Sequence, residues 1–198
     1  MLSKVNQSVV IVSPPGGASG TGFVYDDNGH IVTGLNVVAT SQGGRTGNAT
    51  VSFYDGNLYR AKVIGSDPFT NVAVLSIQNL TKDKSRPLTL GNSTQLSIGD
   101  RVLTISNQFG VPNLLTEGVI SGLHRVIPSL GLNQTYIISD ISINPSSVGG
   151  PLLNAKGEVV GMNAGIFSTR GVYSGISFAI PSDTLAKVVT SLINRGLP

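Results

Sequence analysis

Cysteine and tryptophan are absent from the 198 residues, histidine and methionine occur twice each, and only 12% of the chain is charged. Without cysteine there is no disulfide scaffold, thiol nucleophile or cysteine-based metal site, although this absence does not by itself select a compartment. The two histidines, His30 and His124, stand apart, and no His, Asp or Glu cluster shows ligand spacing, so neither metal nor cofactor is expected. No run reaches the roughly 18 apolar residues of a membrane span, and Met1-Leu-Ser-Lys4 is too short and polar for a secretory leader. Any membrane association is therefore expected through an anchor or partner outside this chain. The net charge of +3 reflects few acids rather than many bases, and the 13 Lys and Arg are scattered, which argues against nucleic acid as a partner.

Gly, Ser, Thr and Asn fill the space left by charge, a composition suited to many short strands and turns. Ser8–Ser13 is a β-branched run ended by Pro14-Pro15-Gly16-Gly17. Gly20–Tyr25 and His30–Thr33 flank Asp26-Asp27-Asn28-Gly29 as a hairpin, and Ala49–Tyr54 and Leu58–Ile64 flank Asp55-Gly56 with period-two alternation. Gln78–Pro87, the most charged stretch, is expected to be a solvated crossover. Further strands are expected at Leu115–Leu123, with His124 following it, and at Tyr136–Asp140. Ser182–Gly196 has the periodicity of one amphipathic helix, capped by Ser182 or Asp183 and stopped by Gly196. Five Asn-x-Ser/Thr sequons, at Asn6, Asn48, Asn79, Asn92 and Asn133, mark a candidate glycoprotein and favour an exported protein.

One stretch organises the chain: Asp140-Ile-Ser-Ile-Asn-Pro-Ser-Ser-Val-Gly-Gly-Pro-Leu-Leu153, followed by Gly157-Glu-Val-Val-Gly-Met162. It resembles the nucleophile loop of trypsin-like serine proteases of the HtrA/DegP branch, in which Asn-Pro-Gly-Asn-Ser-Gly-Gly-Pro-Leu precedes a Gly-x-Val-Val-Gly strand. Gly20-Thr-Gly-Phe-Val24 with His30-Ile-Val-Thr33, then Asp67-Pro-Phe-Thr-Asn-Val-Ala-Val-Leu75, Leu88-Thr-Leu-Gly-Asn-Ser93 and Gly175-Ile-Ser-Phe-Ala-Ile-Pro181 match other motifs of the branch. The resemblance covers nearly all of residues 5 to 198. It implies an all-β chain of two six-stranded antiparallel β-barrels with a C-terminal helix. The first barrel is expected at about 1–85, the second at about 86–180 and the helix at 181–196, with no PDZ domain in the chain.

The resemblance also places the catalytic triad, and all three positions differ. Asn36 stands where the branch has its general base, and a carboxamide cannot accept a proton at physiological pH. Asn71 stands where an Asp orients that base; in the Ser-His-Asp template this single change costs about 10⁴ in rate. Val148 stands at the nucleophile, with neither a proton to give up nor a lone pair to attack with. Ser146 and Ser147 replace the Gly-Asn of the oxyanion loop, so a preformed hole is not expected, and the two serines are read as partners for nearby backbone groups. His30 and His124 are read as surface or satisfied histidines rather than substitute bases.

Three functional readings stand open. The favoured one is a catalytically inactive HtrA-like homologue, located outside the cytoplasm or on a membrane exterior, that binds protein or extended peptide. A groove beside Ser174-Gly-Ile-Ser-Phe-Ala179 would pair a peptide backbone by strand addition, with Val148, Ser174, Gly175, Ile176, Ser177 and Phe178 as its binding residues and Val148 at its floor. The others are an endopeptidase of degenerate or unusual mechanism and a structural subunit of a larger assembly.

Overall fold

The computed structural model describes residues 5–40, 44–81, 84, 86–108, 111–127, 132–166 and 173–195. Strands β1 (Val9–Ser13), β2 (Gly20–Val24), β3 (His30–Gly34), β4 (Asn48–Ser52), β5 (Leu58–Asp67) and β6 (Val72–Ser76) close into a barrel in the order β1-β2-β3-β6-β5-β4. Strands β7 (Arg101–Gln108), β8 (Val111–Ile127), β9 (Leu132–Ser139), β10 (Pro151–Leu153), β11 (Val159–Ile166) and β12 (Ser177–Pro181) close a second one in the order β10-β11-β12-β9-β8-β7. Every strand pairing in both barrels is antiparallel. This is the expected all-β architecture. The helix follows at Ser182–Arg195, and its expected stop at Gly196 lies outside the described residues.

The β2–β3 hairpin turns as its residues dictate. Gly29 takes φ 81°, the left-handed region open to glycine. Asp26 Oδ1 accepts the Asn28 N–H at 3.0 Å, and Asp26 Oδ2 meets His30 Nδ1 at 2.6 Å. Second-barrel strand β8 runs 17 residues, well past the expected Leu115–Leu123, because register shifts between Ile120 and Gly122 and between Gly122 and Arg125 let it bend without ending. His124, at φ 52° and exposed, lies inside this irregular stretch rather than after the strand. The crossover is tied down at two described points: Lys84 pairs with Asp55, and Arg86 donates to Gln7.

Among the described residues, three apolar cores hold the molecule. One fills the first barrel around Val10, Val24, Ile31, Val51 and Leu75, and one fills the second around Val102, Ile120, Ile137 and Leu152. The third lies between them. It joins Val9, Phe23, Val32, Val72 and Val74 of the first barrel to Tyr136, Met162, Phe178 and Ile180 of the second and to Leu185 and Val189 of the helix. This explains why β6 reads as an unbroken apolar run. Ala73 and Leu75 face the first interior, while Val72 and Val74 face the shared core, so both sides of the strand are covered. Each such side chain contributes about 1.5–3 kcal/mol on full burial, and much of that is spent fixing one barrel against the other.

Candidate functional site

The helical turn Leu35–Val38 follows β3 directly and carries Asn36 into the solvent. Asn71 anchors it from the β5–β6 corner, where it takes φ 58°, a left-handed conformation that asparagine tolerates better than most residues. The Asn71 carbonyl accepts the Leu35 N–H at 3.0 Å and its side-chain Oδ1 accepts the Asn36 N–H at 3.1 Å. Asn71 therefore holds the backbone of the turn, not the Asn36 side chain. Val148 completes the group from the second barrel. A Cβ built on Gly34 would lie 2.7 Å from Asn36 Oδ1 and 2.8 Å from Val148 Cγ1, so glycine leaves the gap on which both side chains close. The structure thus brings Asn36, Asn71 and Val148 together across the junction of the barrels.

The loop carrying Val148 is a 3-10 turn, Pro145–Ser147, fixed by Asn144. The Asn144 side-chain oxygen accepts the Ser147 N–H at 3.2 Å and the Ser146 hydroxyl at 2.8 Å, and the Ser147 hydroxyl accepts the Asn144 N–H at 3.2 Å. The Ser146 hydroxyl also reaches the Asn107 carbonyl at 2.5 Å. Thr21 on β2 clasps the loop by donating from Oγ1 to the Ser146 carbonyl at 2.8 Å and from its N–H to the Val148 carbonyl at 3.0 Å. The left-handed residue is Gly149, at φ 85°, and a Cβ there would collide with Thr21 and Thr33. Ser146 keeps an ordinary helical backbone.

An oxyanion hole needs backbone N–H groups aimed at the site of developing charge. The Val148 N–H, at the position of the nucleophile's own oxyanion donor, instead donates to the Pro145 carbonyl at 3.3 Å. That donor is turned into the protein.

The expected peptide groove needs correction. Strand β12 pairs with β11 on one side, through Phe178 with Gly165 and Ser177 with Ile166, and with β9 on the other, through Phe178 with Ile138 and Ser177 with Ser139. No edge is left there for strand addition. Ser177 is buried with its hydroxyl 2.8 Å from that of Ser139, and Phe178 is buried against Tyr136 at a ring separation of 6.1 Å. Val148 is only 4% exposed and packs in the first-barrel core cluster that includes Val37, so its side chain floors no groove. Ser174, Gly175 and Ile176 precede the strand and are exposed. Beside them Tyr173 donates to the Asp140 carbonyl, and partial burial together with the Asp140 carboxylate pushes its hydroxyl above its ordinary pKa.

The concavity at this junction lies elsewhere. A cleft of about 500 Å³ is lined by Ala18, Ser19, Asn36, Val37, Asn144, Pro145 and Ser146. Among the described residues no charged side chain lines it, and the polar groups they present are carboxamides and hydroxyls. Sequence reasoning missed Ala18, Ser19 and Asn144, whose only signal is their position flanking the Gly20-Thr-Gly22 and Ser146-Ser147 motifs. Asn107 carried no signal at all; it is buried, receives the Asn113 N–H and donates its own N–H to Thr21. His30 lies away from the cleft, held by Asp26.

Residues 20–162 match the trypsin-like peptidase domain. The chain is 41% identical to the chloroplastic Protease Do-like 1 of Arabidopsis thaliana over 90% of its own length and 40% of that protein's. It is 42% identical to a probable periplasmic serine endoprotease, DegP-like, of Chlamydia trachomatis over 89% of its length and 34% of the relative's. It therefore spans well under half of these relatives. Among solved structures it overlays the HtrA-type protease AlgW with tripeptide at a TM-score of 0.86 and 33% identity, covering 98% of this chain and 62% of that one. For AlgW with decapeptide the TM-score is 0.83 at 31% identity, covering 99% and 67%.

Proposed function

The chain belongs to the trypsin-like peptidase family as a homologue of the HtrA proteases, and we propose that it has lost catalysis and acts outside the cytoplasm as a module that binds peptide or protein. The observation that carries this reading is Val148. A buried valine stands at the nucleophile position and its N–H is committed to the Pro145 carbonyl, so attack and oxyanion stabilisation are missing at one residue. Asn36 and Asn71 add the loss of base and orienting carboxylate. Binding is assigned to the cleft between the barrels, lined among the described residues by uncharged side chains, rather than to the wall strand β12. The solved relatives with bound tripeptide and decapeptide support peptide as the ligand class, and the periplasmic and chloroplastic relatives support the location.

The names of those relatives also favour a second reading, an endopeptidase of unusual mechanism. One experiment separates the two. Incubation with casein and with a fluorophosphonate probe is expected to give no cleavage and no label, since removing a whole triad costs roughly 10⁶ in kcat in the subtilisin example. Cleavage that survives repurification and scales with protein concentration would establish the second reading.

A further inference from the structure

Away from the junction, the C-terminal helix and the β5–β6 corner enclose another concavity of about 320 Å³, lined by Ser66, Lys187, Val188, Ser191, Leu192 and Arg195 together with Asp67. Residues four apart on a helix lie one above the other. Lys187, Ser191 and Arg195 thus form an outer ridge, and Val188 and Leu192 an inner one. The inner ridge packs against the shared core, and a Cβ on Gly65 would lie 3.0 Å from Leu192 Cβ, so the helix rests directly on β5. Lys187 and Arg195 are exposed, and neither they nor Arg45 form an ion pair among the described residues. Arg45 Nη1 approaches the Ser66 hydroxyl at 3.5 Å and brings a third cation to the opposite wall. Asp67 is turned into its own corner, accepting the Phe69 N–H at 3.1 Å and the Thr70 hydroxyl at 2.6 Å. Three cations against one engaged carboxylate leave the cleft positive over an apolar floor.

Spacing selects the ligand. Eight residues of helix separate Lys187 from Arg195 by about 12 Å at 1.5 Å per residue, too far for one small anion to bridge. An extended peptide rises about 3.3 Å per residue with every second side chain on one face. Acidic residues four apart then span about 13 Å, and the residue midway between them points the same way. We propose that this cleft docks an extended acidic segment of a partner protein, of pattern acidic-x-apolar-x-acidic, its two carboxylates on Lys187 and Arg195 and its apolar side chain on Val188 and Leu192. None of these residues belongs to the inter-barrel site, so the proposal stands or falls independently of the function assigned there.

The test is fluorescence anisotropy with a dye-labelled Gly-Glu-Ser-Leu-Ser-Glu-Gly peptide at low ionic strength. Saturable binding that weakens with salt is expected, with about threefold loss for K187Q or R195Q and about tenfold for the double variant, the scale of exposed charge pairs. Replacing the peptide's Leu by Ser should weaken binding comparably. The charge-reversed K187E/R195E protein should instead prefer a Lys-Ser-Leu-Ser-Lys peptide, and circular dichroism should show its fold unchanged. Equal binding of a Gln-for-Glu peptide, indifference to the double variant, or failure of the reversed pair would overturn the proposal. So would displacement of the peptide by inorganic phosphate or anionic vesicles at equal charge, which would indicate a bare anion or membrane site.

Discussion

At position 148 the valine methyls occupy space beside Gly34 and within the Val37 cluster, so a serine there trades packing for a hydroxyl. Val148→Ser alone should lower stability by about 1–3 kcal/mol in urea unfolding and yield no peptidase. Val148→Asp should cost roughly 3 kcal/mol or more, because the carboxylate would be buried without a partner; a melting temperature that stays put would contradict the burial described above. Introducing Asn36→His, Asn71→Asp and Val148→Ser together supplies a triad but leaves the residue-148 N–H on the Pro145 carbonyl. Weak activity at most is expected from that triple variant. Adding Ser146→Gly removes the hydroxyl that ties the loop to Asn107 and Asn144, and recovery of one oxyanion donor should raise kcat by about 10²–10³. Equal, appreciable rates for the triple and quadruple variants would show that the loop opens on its own.

At the scale of elements, the junction depends on Thr21 of β2. Its Oγ1 donates to the Ser146 carbonyl and receives the Asn107 N–H at 3.1 Å, while its N–H holds the Val148 carbonyl. Thr21→Val keeps the shape and strands two buried partners, so a loss of about 2–5 kcal/mol is expected by denaturant unfolding; a loss under 1 kcal/mol would mean that other groups take over those bonds. Such cross-barrel bonds show where the sequence stops being informative. The β2–β3 hairpin was legible because Asn28-Gly29 and the flanking alternation are local signals, and the helix was legible from its periodicity. Asn36, Asn71 and Val148 could be singled out because each sits inside a short motif. The Leu35–Val38 turn was not legible, since its anchor is Asn71, 35 residues away. Nor was the burial of Val148, Ser177 and Phe178, which follows from which strands become neighbours when the second barrel closes, a long-range outcome that no local pattern encodes.

At the scale of the whole molecule, the core between the barrels decides how the fold can fail. It takes Val72 and Val74 from the first barrel, Phe178 and Ile180 from the second, and Leu185 and Val189 from the helix, so neither barrel can open without exposing apolar surface of the other. The inter-barrel cleft is therefore kept by packing and does not require catalytic side chains. Heat unfolding should accordingly be a single transition, with a calorimetric enthalpy equal to the van't Hoff value. Phe178→Ala, at a buried position far along the chain from the first barrel, should destabilise by about 3–5 kcal/mol and lower that one transition without splitting it. Hydrogen exchange gives the closer check, because protection at Val32 and Val74 of the first barrel should fall together with protection at Ile138 of the second. If Phe178→Ala loosened only the second barrel and left β3 and β6 as protected as before, the two barrels would be separate cooperative units and the cleft between them a hinge rather than a fixed site.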